Sequence, residues 1–134
     1  MNGGAPDEAG DVRLQLDGLA LDVATTERLG QALDEAAART IFELVAYVDE
    51  GPAIFMLRNG PHAWLMYLRE PGHPGFHSCG NPDREGVAAF TRSNGQVDEH
   101  PLAWCIDVEQ CLQAIAYFCV NDGTQPPWLA WSED

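Results

Sequence analysis

A chain of 134 residues holds one hydrophobic core comfortably and leaves little room for a second. Hydrophobic residues make up 46% and charged residues 21%, as in globular domains, but 21 Asp and Glu face seven basic residues, all Arg, for a net charge of −14. That balance excludes a generic nucleic-acid binder, whose phosphate contacts need a basic patch, and disfavours an anionic membrane surface; an acidic domain calls for a basic partner.

No apolar run approaches the ~18 residues that a membrane span needs. The first residues, Met1 to Glu8, carry neither a basic nor an apolar region of the secretory type, so the expected compartment is the cytoplasm. The cysteines Cys79, Cys105, Cys111 and Cys119 include no CxxC pair. Cys111 and Cys119 stand eight apart on one expected helix, too far along its axis to pair. Reduced, mostly buried thiols are expected.

Residues 1–10, small and acidic, read as a flexible leader, and residues 11–134 as one domain. Val12, Leu14 and Leu16 alternate with polar neighbours, which is strand periodicity. From Thr25 to Ala38 the apolar positions Leu29, Leu33, Ala36 and Ala37 follow helical spacing, with Thr25 or Thr26 as cap and Gly30 as a weak point. Ile41 to Val48 is β-branched and aromatic and stops at Asp49-Glu50-Gly51-Pro52. Strands over Ala53–Arg58 and His62–Arg69 flank the hairpin signal Asn59-Gly60-Pro61. After the Gly/Pro loop from Glu70 to Gly75, a short strand covers Phe76–Cys79 and a second loop follows. Asn94-Gly95 joins two further strands, Val87–Arg92 and Gln96–Glu99. Val108 to Val120 is the clearest helix: Asp107 and Gln110 have capping-box spacing, and Ile106 and Cys111 occupy the staple positions. Asn121-Asp122-Gly123 and Pro126-Pro127 end it, and Trp128–Trp131 reads as a closing strand. Strands in series with segregated helices predict an α+β two-layer domain, an antiparallel sheet of about five to seven strands carrying two main helices.

Chemistry-bearing residues are sparse. His73, His77 and Cys79 offer three metal ligands within seven residues, and Cys79 with His62, His77 or His100 offers a thiol and a base. Pro74-Gly75 prevents His73 and His77 from sharing a helical face, and an acidic setting does not activate a thiol. Loop histidines and a structural thiol are therefore the expectation, with no metal and no cofactor. The carboxylate pairs Asp49-Glu50, Asp98-Glu99 and Glu133-Asp134 are adjacent, so on a strand their members point to opposite faces and form no catalytic dyad. The Gly72–Gly75 segment lacks the ending of a phosphate loop. Trp128 and Trp131, three apart, face opposite sides of a strand, which leaves one exposed as an interface anchor.

The hairpin strand His62-Ala63-Trp64-Leu65-Met66-Tyr67-Leu68, the Phe76-His77-Ser78-Cys79-Gly80 strand, the Val87–Arg92 strand, Asn94-Gly95-Gln96, the acidic stretch to Pro101, the late helix and a closing Pro127-to-Glu133 segment with Trp131 and Glu133 occur in an order that resembles the Imm1 family of bacterial immunity proteins. The resemblance covers roughly residues 40–134 and rests on order and spacing more than on any single motif. It implies a small α+β protein encoded beside a polymorphic toxin, often a nucleic-acid deaminase, which it neutralises by occluding the toxin's active site. It implies no catalytic residues.

Charge and resemblance together predict a cytoplasmic monomer that forms a 1:1 complex with a basic toxin domain, a cytidine deaminase acting on nucleic acid, and itself touches neither nucleic acid nor membrane. The expected contacts are Asp49, Glu50, Asp98, Glu99 and Glu133, with Trp128 or Trp131 as anchor. The alternatives are a small metal- or thiol-dependent enzyme using His73, His77 and Cys79, and an acidic adaptor without chemistry.

Overall fold

A computed structural model of the chain describes residues 12–133; the leader expected over residues 1–10 lies outside the described residues, as do Asp11 and Asp134. The chain opens with a hairpin, β1 (Val12–Leu16) and β2 (Leu19–Leu21), that turns through Asp17 and Gly18, both at positive φ. Helix α1 (Thr26–Ala37) starts where the Thr25 side chain accepts the Arg28 N–H. Strands β3 (Ile41–Val48), β4 (Ala53–Asn59) and β5 (His62–Leu68) then form an antiparallel meander with the expected turns. After the Gly/Pro loop come β6 (Phe76–Ser78), the pair β7 (Val87–Thr91) and β8 (Val97–Pro101), one turn of 3₁₀ helix at Leu102–Trp104, helix α2 (Val108–Val120) and β9 (Trp131–Glu133).

Seven of these strands make one antiparallel sheet in the order β2-β1-β3-β4-β5-β6-β9. Strand alternation decides what each face carries. Leu14, Leu16, Phe42, Leu44, Ala46, Ile54, Met56 and Leu65 point to one side and are almost completely buried. That side is covered by the helices: α2 lies on β3, β4 and β5, and α1 packs against α2. Cys111, Ala114, Ile115 and Phe118 of α2 are buried at 0% exposure and form the stripe that packs on the sheet. The two-layer α+β architecture with two helices on an antiparallel sheet is thus the fold of the chain.

On the opposite, outer face, β7 and β8 form a separate two-stranded ribbon rather than extending the sheet. The ribbon lies across β3 and β4 and seats Phe90, fully buried, in a second small core with Leu57, Trp64, Ala88 and Cys105. The Asn59 side chain donates to the Ala89 carbonyl at 2.7 Å and fixes the ribbon's position.

The closing strand differs from its expected position. Pairing begins only at Trp131, opposite Ser78, and runs to Glu133, opposite Phe76. Trp128 precedes the strand, held away from it by the Pro126-Pro127 segment, with its ring edge-on to Tyr117 of α2 at 5.1 Å. The hairpin partner β2 and the 3₁₀ turn were not expected from the sequence.

Candidate partner-binding surface

The arginines are largely engaged within the fold. Arg13 reaches Asp49 at 3.2 Å, Arg28 reaches Asp22 at 3.3 Å, and Arg39 bridges Asp17 at 2.8 Å and Glu35 at 3.8 Å. Arg58 donates to the carbonyls of Gly60 and Arg39, and Arg69 stacks over the Phe76 ring at 5.0 Å. The best-buried pairing is made by Arg92, which binds Glu43 at 2.9 Å and Asp98 at 3.0 Å and clamps the ribbon to β3. Burial alone would raise the Glu43 carboxyl pKa, but the Arg92 guanidinium and the Ser93 backbone N–H outweigh it and hold the carboxyl below its usual range. The same guanidinium, with Gln96, holds the Asp98 carboxyl low. The exposed pairs of Arg13, Arg28 and Arg39 add little stability, yet they decide which cations are spoken for.

The seven expected contact residues fall in four places. Asp49 and Glu50 form the exposed β3–β4 turn, where Glu50 takes φ +59° and the Gly51 N–H closes back on the Val48 carbonyl. Asp98 and Glu99 stand on β8 and face opposite ways: Asp98 is committed to Arg92 and Gln96, while Glu99 points to solvent. Trp131 and Glu133 belong to edge strand β9. Trp131 packs on the main core, 6.2 Å from the Tyr67 ring, and donates its indole N–H to the Pro126 carbonyl. Trp128, 48% exposed, is therefore the outward tryptophan of the two.

The residues discussed as ligands do not converge. His73 accepts the Gly75 N–H on its Nδ1 and stacks on Phe76, which faces the helix-covered side. His77, one position on, points to the other face and stacks on Trp104 at 3.8 Å. Among the described residues, no group of three or more His, Cys, Asp or Glu side chains is placed to hold a metal ion. Cys105, Cys111 and Cys119 are buried free thiols and Cys79 is partly exposed.

A feature not anticipated from single motifs is the open part of the sheet's outer face. Register sets Val45, Phe55 and Met66 side by side in one row across β3, β4 and β5, and Tyr47, Ala53 and Leu68 in the next. Two adjoining depressions run along these rows and share Phe55 and Leu68. The larger, about 340 Å³, is bordered by Asp49, Glu50 and Glu70; the smaller, about 130 Å³, ends against the Glu43–Arg92 pair and Trp64. A signal for it does exist in the sequence: Ile41–Val48 and His62–Leu68 are apolar at most positions rather than at alternate ones, as strands with two apolar faces are.

No protein-family model matches the chain, and no curated protein is significantly similar to it. No helix among the described residues is long and apolar enough to cross a membrane.

Proposed function

We propose that this chain is a cytoplasmic immunity protein that binds a cognate bacterial toxin domain one-to-one and blocks its active site, and that the toxin is a nucleic-acid cytidine deaminase. The observation that carries this reading is the placement of charge. The net charge is −14, and Arg13, Arg28, Arg39 and Arg92 are taken up in internal ion pairs, so the cations do not form a patch of their own. A toxin that grips nucleic acid carries a basic cleft. An acidic surface is complementary to that cleft, speeds encounter by steering, and excludes the polyanionic substrate by occupying its site, with no chemistry of its own. The order of elements resembling the Imm1 immunity family points the same way.

An interface of standard size, about 1,600 Å² in total, suffices for such occlusion. The test is a pull-down with the product of the adjacent upstream gene, expressed in a catalytically inactive form. Tight, salt-sensitive binding at 1:1 stoichiometry is the expected result. Absence of binding at low salt would contradict the reading.

A further inference from the structure

We infer that the open outer face of the sheet is the docking surface, and that it takes a basic segment of the partner which lays an apolar side chain across Phe55, Met66 and Leu68 and sets Lys or Arg against Asp49, Glu50 and Glu70. This deepens, and rests on, the reading of the chain as a binder of a basic toxin domain. The helix-covered side of the sheet is already filled by its own core, whereas Val45, Phe55, Met66 and Leu68 are only half-buried and line continuous depressions. A row of apolar side chains left at a protein surface beside polar rims marks an interaction site more often than a structural remnant.

Charge selects the occupant. Among the described residues that line it, the larger depression has three carboxylates and no cation. Asp49 shares its charge with Arg13, while Glu50 and Glu70 have no cationic partner among the described residues. A second copy of this chain is a poor occupant, since it brings the same excess of negative charge to the same place. A partner surface of alternating cationic and apolar side chains satisfies both the floor and the rim. At the inner end, Trp64 contributes an indole N–H that is buried with no hydrogen-bond partner among the described residues. A buried donor of this kind carries a desolvation penalty.

The experiment is a titration of the ¹⁵N-labelled full chain with a capped Arg-Arg-Leu-Arg-Arg peptide, followed by amide shifts. Arg-Arg-Ser-Arg-Arg and Glu-Glu-Leu-Glu-Glu are the comparison peptides. Expected are saturable shifts centred on Val45, Phe55, Met66 and Leu68, weaker binding of the serine peptide and none of the glutamate peptide. The double variant Glu50→Gln with Glu70→Gln, which leaves the core untouched, should weaken the leucine peptide by about tenfold. Shifts spread over all carboxylates without saturation, shifts centred on Trp128 and Tyr117, or no shifts at all would overturn the inference. Hydrogen exchange on the complex with the toxin domain separates the two levels. Binding that protects α2 and leaves β4 and β5 unprotected keeps the immunity reading and overturns the docking face. Peptide binding in the groove without any toxin binding keeps the docking face and overturns the immunity reading.

Discussion

Glu43 is the residue on which the two layers of the outer face depend. It is 5% exposed, accepts from Arg92 and from the Ser93 backbone, and stands on β3, which together with β4 carries the ribbon. A buried carboxylate is tolerated only when paired and hydrogen-bonded. Replacing it by Gln keeps the shape but leaves the guanidinium short of a partner, and Glu43→Gln should cost about 2 kcal/mol of stability. The pH dependence has a definite sign. The folded-state pKa lies below the ordinary value of 4.5, so the stabilisation is fully present above that value and is lost as pH falls through the lower, folded-state value. Urea unfolding of wild type and variant should differ by a constant amount above about pH 5, and the difference should shrink as pH falls below the ordinary carboxyl value of 4.5. A gap that widens in acid would contradict the assignment. None of this pairing was legible from the sequence, where Glu43 is one acidic residue inside an apolar strand and its partner lies 49 positions away. The cysteines are the opposite case, since their expected burial is what the structure contains for three of them. Burial pushes the Cys119 thiol up to about 12, and that of Cys111 higher still. Alkylation of the native protein at mildly alkaline pH should therefore label Cys79 first, and rapid labelling of Cys111 would show that α2 opens.

At the scale of elements, local chemistry and spacing were readable wherever the signal lay within one turn. The Thr25 cap, the Asp107–Gln110 capping box, the glycine turn of the β4–β5 hairpin and the bounds of β3 and α2 all follow from neighbours in sequence. The β1–β2 hairpin also had its signal, an Asp17-Gly18 pair suited to a two-residue turn at positive φ, but Leu19 to Leu21 is too short to show periodicity. What could not be read is where distant pieces dock. The ribbon β7–β8 looks like any hairpin, and only tertiary contacts lay it across β3 and β4. The start of β9 is set by its partner β6 and by the Trp131–Pro126 hydrogen bond, not by its own residues. Two substitutions measure this difference between local and tertiary control. Thr25→Ala removes one capping bond and should cost about 1 kcal/mol. Gly80 looks like an ordinary loop glycine, yet its backbone packs so closely against the segment before α2 that a Cβ would collide with the Cys105 carbonyl. Gly80→Ala should therefore cost more than about 3 kcal/mol, and thermal unfolding of the two variants side by side would check the order. Equal effects would mean that the Gly80 contact relaxes easily.

The whole molecule is dominated by charge, and that much was plain from composition. An excess of 14 negative charges repels itself in the folded state, so added salt should raise the melting temperature through screening. A fall with salt would mean that the internal ion pairs outweigh the repulsion. Composition could not say where the carboxylates lie. Strand alternation and cross-strand register place them: they gather Asp49 and Glu50 with Glu70 beside an apolar face, turn Asp98 into a clamp for Arg92, and send Trp128 and Glu133 elsewhere. A protein built this way presents an apolar floor with an acidic rim, the surface proposed above for a basic partner. The most direct test of the proposed immunity role is survival of cells that express the product of the adjacent upstream gene in active form, with and without this chain. The account predicts growth restored by the wild-type chain, and restored poorly by the double variant Glu50→Gln with Glu70→Gln at equal expression. Cells that die equally with and without a well-expressed chain would contradict it.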